Sequence, residues 1–599
     1  QGIYFFIKNI KSKKIWSSAN TNYLDKSEKY TASFFPDKSK FSRIDENIKT
    51  SVSVIIAPED PVEIRKIDLK NIGNEDEILE VSSVIEPVLS SPSQDYAHKA
   101  FNNLFLSFEI QDGIIVAKRK FRKCDVPDLY LAITLYSENS LTGEMEYELD
   151  RKNLYGRQNF GIPQLIKDSK PFTNKIESTT NPIISYRSSI EVKSNKNSSL
   201  SLIISVSESK EEAIQNVKKY MSTESIERAI NLSKARIEAK IQYLGIHGND
   251  VSLYQRILSH MLIKSGNKDL EIDKNEIYKT SELWKFGISG DNLILLTVVK
   301  DIAEIEIVEN LVKAFEYYKM QNIDVDLVII NEEKESYENY VKDAINEIIS
   351  NHQLLNINSN GKIFVLNNIS EEDKNLLKIR SDLILLGSYG KIGLQLDEYD
   401  YEYSKTLKNI KYQKKNNSIE KILPVNNSAN YKINFDGVKY FNEYGGFSND
   451  GKEYIINVNK DKKLPLAWSH ILANKNFGTV LTDGMGGYTW YKNARLNRIT
   501  SWSNDPVQDS QSEIIYLQDL ENKNSWSISV SPMPDDNEYY IKYGFGYAKY
   551  IHSNDNIDQE VEVFVPKEDA CKIGILNLKN TTPNRKKNKI ILLYETSNR

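Results

Sequence analysis

The sequence predicts a mainly β chain: two antiparallel β-sandwich domains, joined by a helical segment and a small α/β domain with a parallel sheet. Three observations predict it. Residues 1–207 and 435–599 are dense in short runs of β-branched and aromatic residues bounded by turn residues. Residues 284–392 alternate strand-like and helix-like patterns. A motif near the start also recurs near the end.

In the first block "SVSVIIAPED", "VEIRKIDLKN", "GIIVAKRKF", "LYLAITLY" and "SLSLIISVS" read as strands, with no helical period of convincing length between them. So many strands in succession argue for an antiparallel sandwich. Residues 208–283 then form a helical linker. Ser209 followed by Glu212 is a capping-box signature. Ile226, Ile230, Ile237, Ile241 and Leu244 fall on one helix face, with Gly245 or Gly248 as the stop.

Next come the strands "LILLTVV", "VDLVIIN", "KIFVL" and "DLILLG". The helices between them are one striped by Ile305, Val308, Val312, Phe315 and Tyr318, one over residues 337–349, and one that Ser370 caps. Right-handed crossovers then give a small parallel sheet. Its carboxyl ends carry Asn331, Glu332 and Asn367, but no G-x-G-x-x-G or G-K-[ST] accompanies them, so a structural role is expected. Residues 393–434 form a polar linker, Lys- and Asn-rich over residues 405–421. Strands resume from Phe435, with Asp450-Gly451 at a hairpin turn.

The repeat relates the two sandwiches. "FFIKNIKSKKIWSS" aligns with "IYLQDLENKNSWSIS", so that Trp16 falls on Trp526. "APEDPVEIRKIDLKNI" aligns with "VPKEDACKIGILNLKN", so that Asp60, Leu69 and Asn71 fall on Asp569, Leu578 and Asn580. One module type is expected twice, the first copy cut at its beginning and the second at its end.

Composition narrows the function classes. Net charge is −5 with both signs interspersed, the footprint of neither a nucleic-acid partner nor a membrane-surface one. No apolar run reaches the length of a membrane helix. Cys124 and Cys571 cannot make a disulfide framework and fit a reducing, cytoplasmic compartment. The six His sit at no metal-ligand spacing, and no G-x-S-x-G elbow occurs, so neither a metal nor an organic cofactor is expected.

The richest chemistry lies in "DGMGGYTWYKNARLNRITSWSNDP". Its glycines permit close backbone approach. Tyr488, Trp490, Tyr491 and Trp502 offer aromatic faces suited to a sugar's apolar face, and the Arg, Asn and Asp side chains supply directional hydrogen bonds to hydroxyls. The alternative is that Trp490 and Trp502 are sandwich core, with Arg495 and Arg498 paired to surface acids.

Here a resemblance enters. "FNEYGGFSNDGKEYIINV", "LAWSHILANKNFGTVLTDGMGGYTWYKNARLNRITSWSNDPVQD", "EIIYLQDLENKNSWSISVSPMP" and "IKYGFGYAKY" resemble the N-terminal, supersandwich-like β-sandwich of family-94 glycoside phosphorylases. The likeness extends to the phosphorylase-like part of cyclic β-1,2-glucan synthases and to 1,2-β-oligoglucan phosphorylases. "YFFIKNIKSKKIWS", "AHKAFNNLFLSFEI", "YELDRKNLYGRQN" and "LWKFGISGDNLILL" look like the tandem, upstream sandwich of those synthases.

The resemblance implies a glycosyltransferase or glycoside phosphorylase acting on a β-glucan oligosaccharide, with inorganic phosphate as co-substrate. It implies a general acid in an (α/α)6 barrel following the second sandwich, so no catalytic residue is assigned here. It also implies a homodimer and a loop near the active-site mouth. Onto that loop it places Arg495, Asn497, Arg498, Trp502, Asn504 and Asp505 as acceptor-side or loop-ordering residues; with the aromatic faces of Tyr488 and Trp490 they make the expected substrate-binding set. The alternative is a non-catalytic scaffold and dimerisation element at the cytoplasmic face of a membrane-bound synthase.

Overall fold

The computed structural model describes residues 2–21, 24, 27, 29–121, 126–137, 141–177, 179–263, 279–333, 339–351, 360–401 and 437–597. Cys124, Tyr337 and the Lys- and Asn-rich segment 405–421 lie outside them. Compactness divides the chain into two units, residues 1–231 with 421–599, and residues 232–420. The fold is mainly β, with several antiparallel sheets and one parallel sheet.

In the first unit, residues up to Ser207 form two antiparallel sheets. One has five strands, in the order Glu146–Asp150, Pro182–Val192, Glu77–Ile85, Ile3–Asn9, Ile15–Ser17. The other has eight, with Ile48–Ile56, Val62–Asn71, Asn197–Ser207 and Leu129–Tyr136 at its centre. Ile7, Trp16, Ile67, Leu69, Val81, Ile133, Ile184 and Leu202 fill the space between the sheets. The eight-stranded sheet is buried on its other face as well. There Ala213, Ile214 and Val217 of helix Lys210–Lys219 pack on Ile64, Val116, Ala132 and Ile203. Burial on both faces is why "LYLAITLY" reads as an apolar run rather than an alternation. Ser209 caps that helix, its side chain accepting from the Glu212 N–H at 3.3 Å.

Four short helices interrupt these strands where no helical period is legible: Pro92–Ala97, Lys99–Asn103, Arg151–Tyr155 and Gln164–Asp168. Five or six residues are too few to display a 3.6-residue period, and tertiary contacts hold them instead.

The repeat is reproduced pair by pair. Ile7 faces Trp16, and Leu517 faces Trp526. Ile7 faces Val81 across the next strand, and Leu517 faces Ile590. Ile48 pairs with Asn71, and Ile557 with Asn580. The two buried indoles even bond equivalent positions: Trp16 Nε1 donates to Thr50 Oγ1 at 3.0 Å, and Trp526 Nε1 to Gln559 Oε1 at 2.9 Å. Asn71 Nδ2 donates to the Glu75 carbonyl and Asn580 Nδ2 to the Asn584 carbonyl, closing the same turn. The second copy adds strands Gly445–Phe447 and Glu453–Val458 beside Tyr539–Gly544. It also adds a three-stranded sheet, Ser469–Ala473, Phe477–Thr482 and Gly487–Tyr491. Asp450-Gly451 does form the hairpin turn, Gly451 taking φ +71°.

The second unit holds a four-stranded parallel sheet in the order Ile363–Asn367, Val325–Asn331, Leu293–Val299, Leu383–Leu386. Helices Ile305–Met320, Tyr340–Asn351 and Glu371–Arg380 make the crossovers, the last capped by Ser370. Helix Thr223–Tyr243 spends its apolar face twice. Ile226 and Ala229 join the sandwich cluster of the first unit, and Ile241 packs in the core of the second. Its stop is Gly245 at φ +62°, whereas Gly248 opens the next helix, Gly248–Ile263.

Candidate functional site

Strands Phe477–Thr482 and Gly487–Tyr491 are joined by a turn whose glycines meet hard limits. Gly487 has φ +108°, and a Cβ there would lie 2.1 Å from the Val480 carbonyl oxygen; a Cβ on Gly486 would lie 2.4 Å from Asp509 Oδ1. After Tyr491 the chain makes a tip ordered by Asn493, whose Oδ1 accepts from the Arg495 and Leu496 N–H groups at 2.9 Å each. It returns antiparallel, with Arg498 opposite Trp490 and the Ile499 N–H bonded to the Thr489 carbonyl.

Four of the expected residues meet on this return. Tyr488 and Trp502 stack at 4.7 Å with 23° between planes, and Trp490 tilts against Tyr488 at 5.3 Å. The Arg498 guanidinium lies 5.2 Å from the Tyr488 ring and 5.4 Å from that of Trp502. Tyr488 is only 7% exposed, so it backs the stack, whereas Trp490, Trp502 and Arg498 are half-exposed. Trp490 also covers Gly478, where a Cβ would come within 2.3 Å of its ring.

The other four residues lie elsewhere. Arg495 and Asn497 are exposed at the tip. Asn504, at φ +48°, places Nδ2 3.4 Å from His98 Nδ1 of the first copy. Asp505 turns inward onto Arg151 and accepts from the N–H groups of Val507 and Gln508 at 3.0 and 3.2 Å. Burial opposes its ionisation, but Arg151 and those N–H groups hold its carboxyl below the usual range.

The residues that sequence reasoning missed come mostly from the first copy. Arg151 also reaches Glu86 at 3.4 Å, and Glu86 pairs with Lys99 at 2.7 Å. Arg157 grips Asp483 with two bonds of 2.8 Å and stands 3.6 Å from Asp509. Asp509 accepts from Thr482 Oγ1 at 2.7 Å. Burial, then the Asp483 charge, push the Asp509 carboxyl up to about 6. Arg157, Asp483 and Asp509 are all buried, so this cluster joins the two copies rather than meeting a ligand. A faint signal existed in "YELDRKNLYGRQN", where one arginine opens a five-residue helix and a second follows two residues after its end.

The parallel sheet's carboxyl ends are self-paired. Asn331 Nδ2 donates to Asn367 Oδ1 at 3.1 Å, and Glu332 pairs with Lys300 and Lys374. Beyond the ends of strand Leu293–Val299 and the edge strand Leu383–Leu386, Glu304 accepts from the Lys300 N–H at 2.8 Å and lies against Gly387, where a Cβ would be 2.6 Å from its carboxylate. Among the described residues, no three His, Cys, Asp or Glu side chains are placed to hold a metal ion, and no helix is long and apolar enough to cross a membrane.

Residues 1–223 and 452–598 match the glycosyl hydrolase 94 supersandwich domain, more than half of the chain. The chain belongs to the glycosyl hydrolase 94 supersandwich family. The matched residues of this supersandwich chain cover both copies of the repeat. It is similar to the cyclic beta-(1,2)-glucan synthase NdvB of Rhizobium meliloti (strain 1021), 23% identical over 600 residues, 98% of this chain and 21% of that protein. It is similar also to the N,N'-diacetylchitobiose phosphorylase of Vibrio furnissii, 32% identical over 143 residues, 23% of this chain and 18% of that protein. The supersandwich chain thus spans about a fifth of the length of these curated relatives. A solved bacterial glucoamylase complexed with acarbose is 12% identical, with a TM-score of 0.27 over 44% of this chain and 34% of that one.

Proposed function

We propose that this chain binds a β-glucan, β-1,2-linked, and positions it for glucosyl transfer or phosphorolysis. The catalytic acid belongs to a downstream (α/α)6 domain, and inorganic phosphate is the co-substrate. The observation that carries the reading is the half-exposed stack of Trp490, Trp502 and Arg498, backed by buried Tyr488. It offers aromatic surface beside a cation and the polar tip of Arg495 and Asn497. Asp505 orders the loop rather than contacting sugar. Support for the linkage is the similarity to a cyclic beta-(1,2)-glucan synthase over 98% of the chain.

The test is phosphorolysis of short β-1,2-linked glucans by the full-length protein carrying Arg498→Ala or Trp502→Ala. Losing one stacked partner is worth about 1 kcal/mol, so KM rises about fivefold. An unchanged KM and kcat in both variants refutes the reading.

A second reading, a non-catalytic scaffold element, is favoured by one observation. The buried Arg157–Asp483–Asp509 cluster fastens the two copies without using any exposed group. Under it, both variants leave turnover untouched while Arg157→Ala lowers the stability of the chain.

A further inference from the structure

The helix pair Pro92–Ala97 and Lys99–Asn103 of the first copy carries apolar surface that no core absorbs. Tyr96 is 88% exposed, Leu104 57% and Phe101 38%. The backbone beneath them is firmly held. Arg119 is buried and donates to both the carbonyl and the side-chain oxygen of Asn102, whose Nδ2 reaches Ser90 Oγ at 2.9 Å and Asp95 at 3.4 Å. Phe101 is set edge-on between His98 at 5.7 Å and Phe105 at 5.3 Å.

Two independent links join this pair to the loop at residues 495–506. One is the approach of Asn504 to His98 Nδ1, which also accepts from the Phe101 N–H at 3.1 Å. The other is an ion chain from Asp505 through Arg151 and Glu86 to Lys99. Burial raises the cost of the Glu86 charge, yet Lys99 and Arg151 together hold its carboxyl below the usual range. This run of ion pairs keeps loop and helix pair in one surface.

We propose that Tyr96 and Phe101 form a saccharide platform that continues the Trp502–Arg498 surface, so that a glucan longer than a few units lies across both copies of the module. The inference rests on the glucan reading above and adds to it a second, distal set of contacts. A sugar is favoured over a protein partner by the chemistry. Exposed rings, Tyr96 and Phe101, stand with hydrogen-bonding groups: His98 lies 5.7 Å from the Phe101 ring and 3.4 Å from Asn504. The ring faces take the apolar side of a pyranose; the polar groups take its hydroxyls.

The experiment measures affinity of the full-length protein for a β-1,2-linked glucose trisaccharide and hexasaccharide by calorimetry. It compares Tyr96→Ala, Phe101→Ala, Tyr96→Phe, Arg498→Ala and Trp502→Ala. Tyr96→Ala is expected to weaken hexasaccharide binding about fivefold, to leave the trisaccharide almost unchanged, and to be rescued by Tyr96→Phe. Because Tyr96 is largely solvated, the thermal midpoint of the variant should match the parent. If Arg498→Ala and Trp502→Ala weaken both sugars while Tyr96→Ala and Phe101→Ala weaken neither, the platform is overturned and the glucan reading stands. If the parent protein binds neither sugar, the glucan reading itself fails and takes the platform with it.

Discussion

Replacing Asp509 by asparagine tests the buried charge cluster that fastens the two sandwich copies. Two carboxylates, Asp483 and Asp509, share the guanidinium of Arg157, which bonds Asp483 directly and stands farther from Asp509. Burial and the neighbouring Asp483 charge lift the Asp509 carboxyl from 3.8 to about 6. Its pKa is therefore higher folded than unfolded. Between roughly pH 4 and pH 6 the folded chain keeps a proton that the unfolded chain releases, so stability falls as pH rises through that window. About two pKa units at 1.36 kcal/mol each make the penalty about 3 kcal/mol by pH 7. An asparagine stays neutral at every pH, and its amide oxygen retains the bond from Thr482.

Asp509→Asn should thus match the parent near pH 4 and exceed it by about 2 to 3 kcal/mol at pH 7.5. Urea unfolding across that range, followed by the fluorescence of the core indoles Trp16 and Trp526, supplies both curves. Titrating groups remote from Asp509 cancel in the difference between them. A difference curve flat from pH 4 to pH 7.5 would refute the argument, because it would mean that Asp509 does not hold its proton in the folded chain.

Three further outcomes follow from other contacts. Arg151→Ala strands Asp505 and Glu86 with one guanidinium fewer between them; it should cost about 3 kcal/mol and speed proteolytic nicking within residues 492–504, read by limited digestion. Thr50→Val and Gln559→Leu each remove the acceptor of a buried indole at equivalent points of the repeat, and should each cost about 1 to 2 kcal/mol in urea unfolding; a large cost at one site and none at the other would break the equivalence. Gly478→Ala should push Trp490 off its strand, shift its fluorescence to the red and cost about 1 to 3 kcal/mol.

Much of the fold was legible because burial writes a local pattern. "LILLTVV" and "VDLVIIN" are buried on nearly every residue, and their strands begin and end where the apolar runs do. The Ser209 and Ser370 caps were legible because a cap is a contact between residues three apart. The repeat was legible because each copy must bury a tryptophan and close the same turn with an asparagine. The helices at residues 92–103 were not legible. Their stability comes from Arg119 bonding Asn102 across the fold, which leaves no periodic trace.

The loop at residues 495–506 divides by the same logic. That Trp502 and Arg498 belong together could be read from composition and proximity, since both lie within reach of Tyr488 on the return of the same loop. That Asp505 is an interface residue could not be read, because its partner Arg151 lies 354 residues earlier and an ion pair at that separation leaves no mark on either neighbourhood. A mixture of Arg, Asn, Asp and Trp signals only that side chains need partners; it does not say whether those partners are sugar hydroxyls or the other sandwich. The structure separates the two. Asp505 is buried against a cation, and Asn504 approaches His98. Arg495 and Asn497 remain at the solvent edge beside the half-exposed rings. An anchored base with a solvent-exposed rim is what a binding loop requires, because the cost of ordering it is met before any ligand arrives. The duplication supplies that anchor: Arg151 belongs to the first copy and Asp505 to the second, so one sandwich organises the rim of the other.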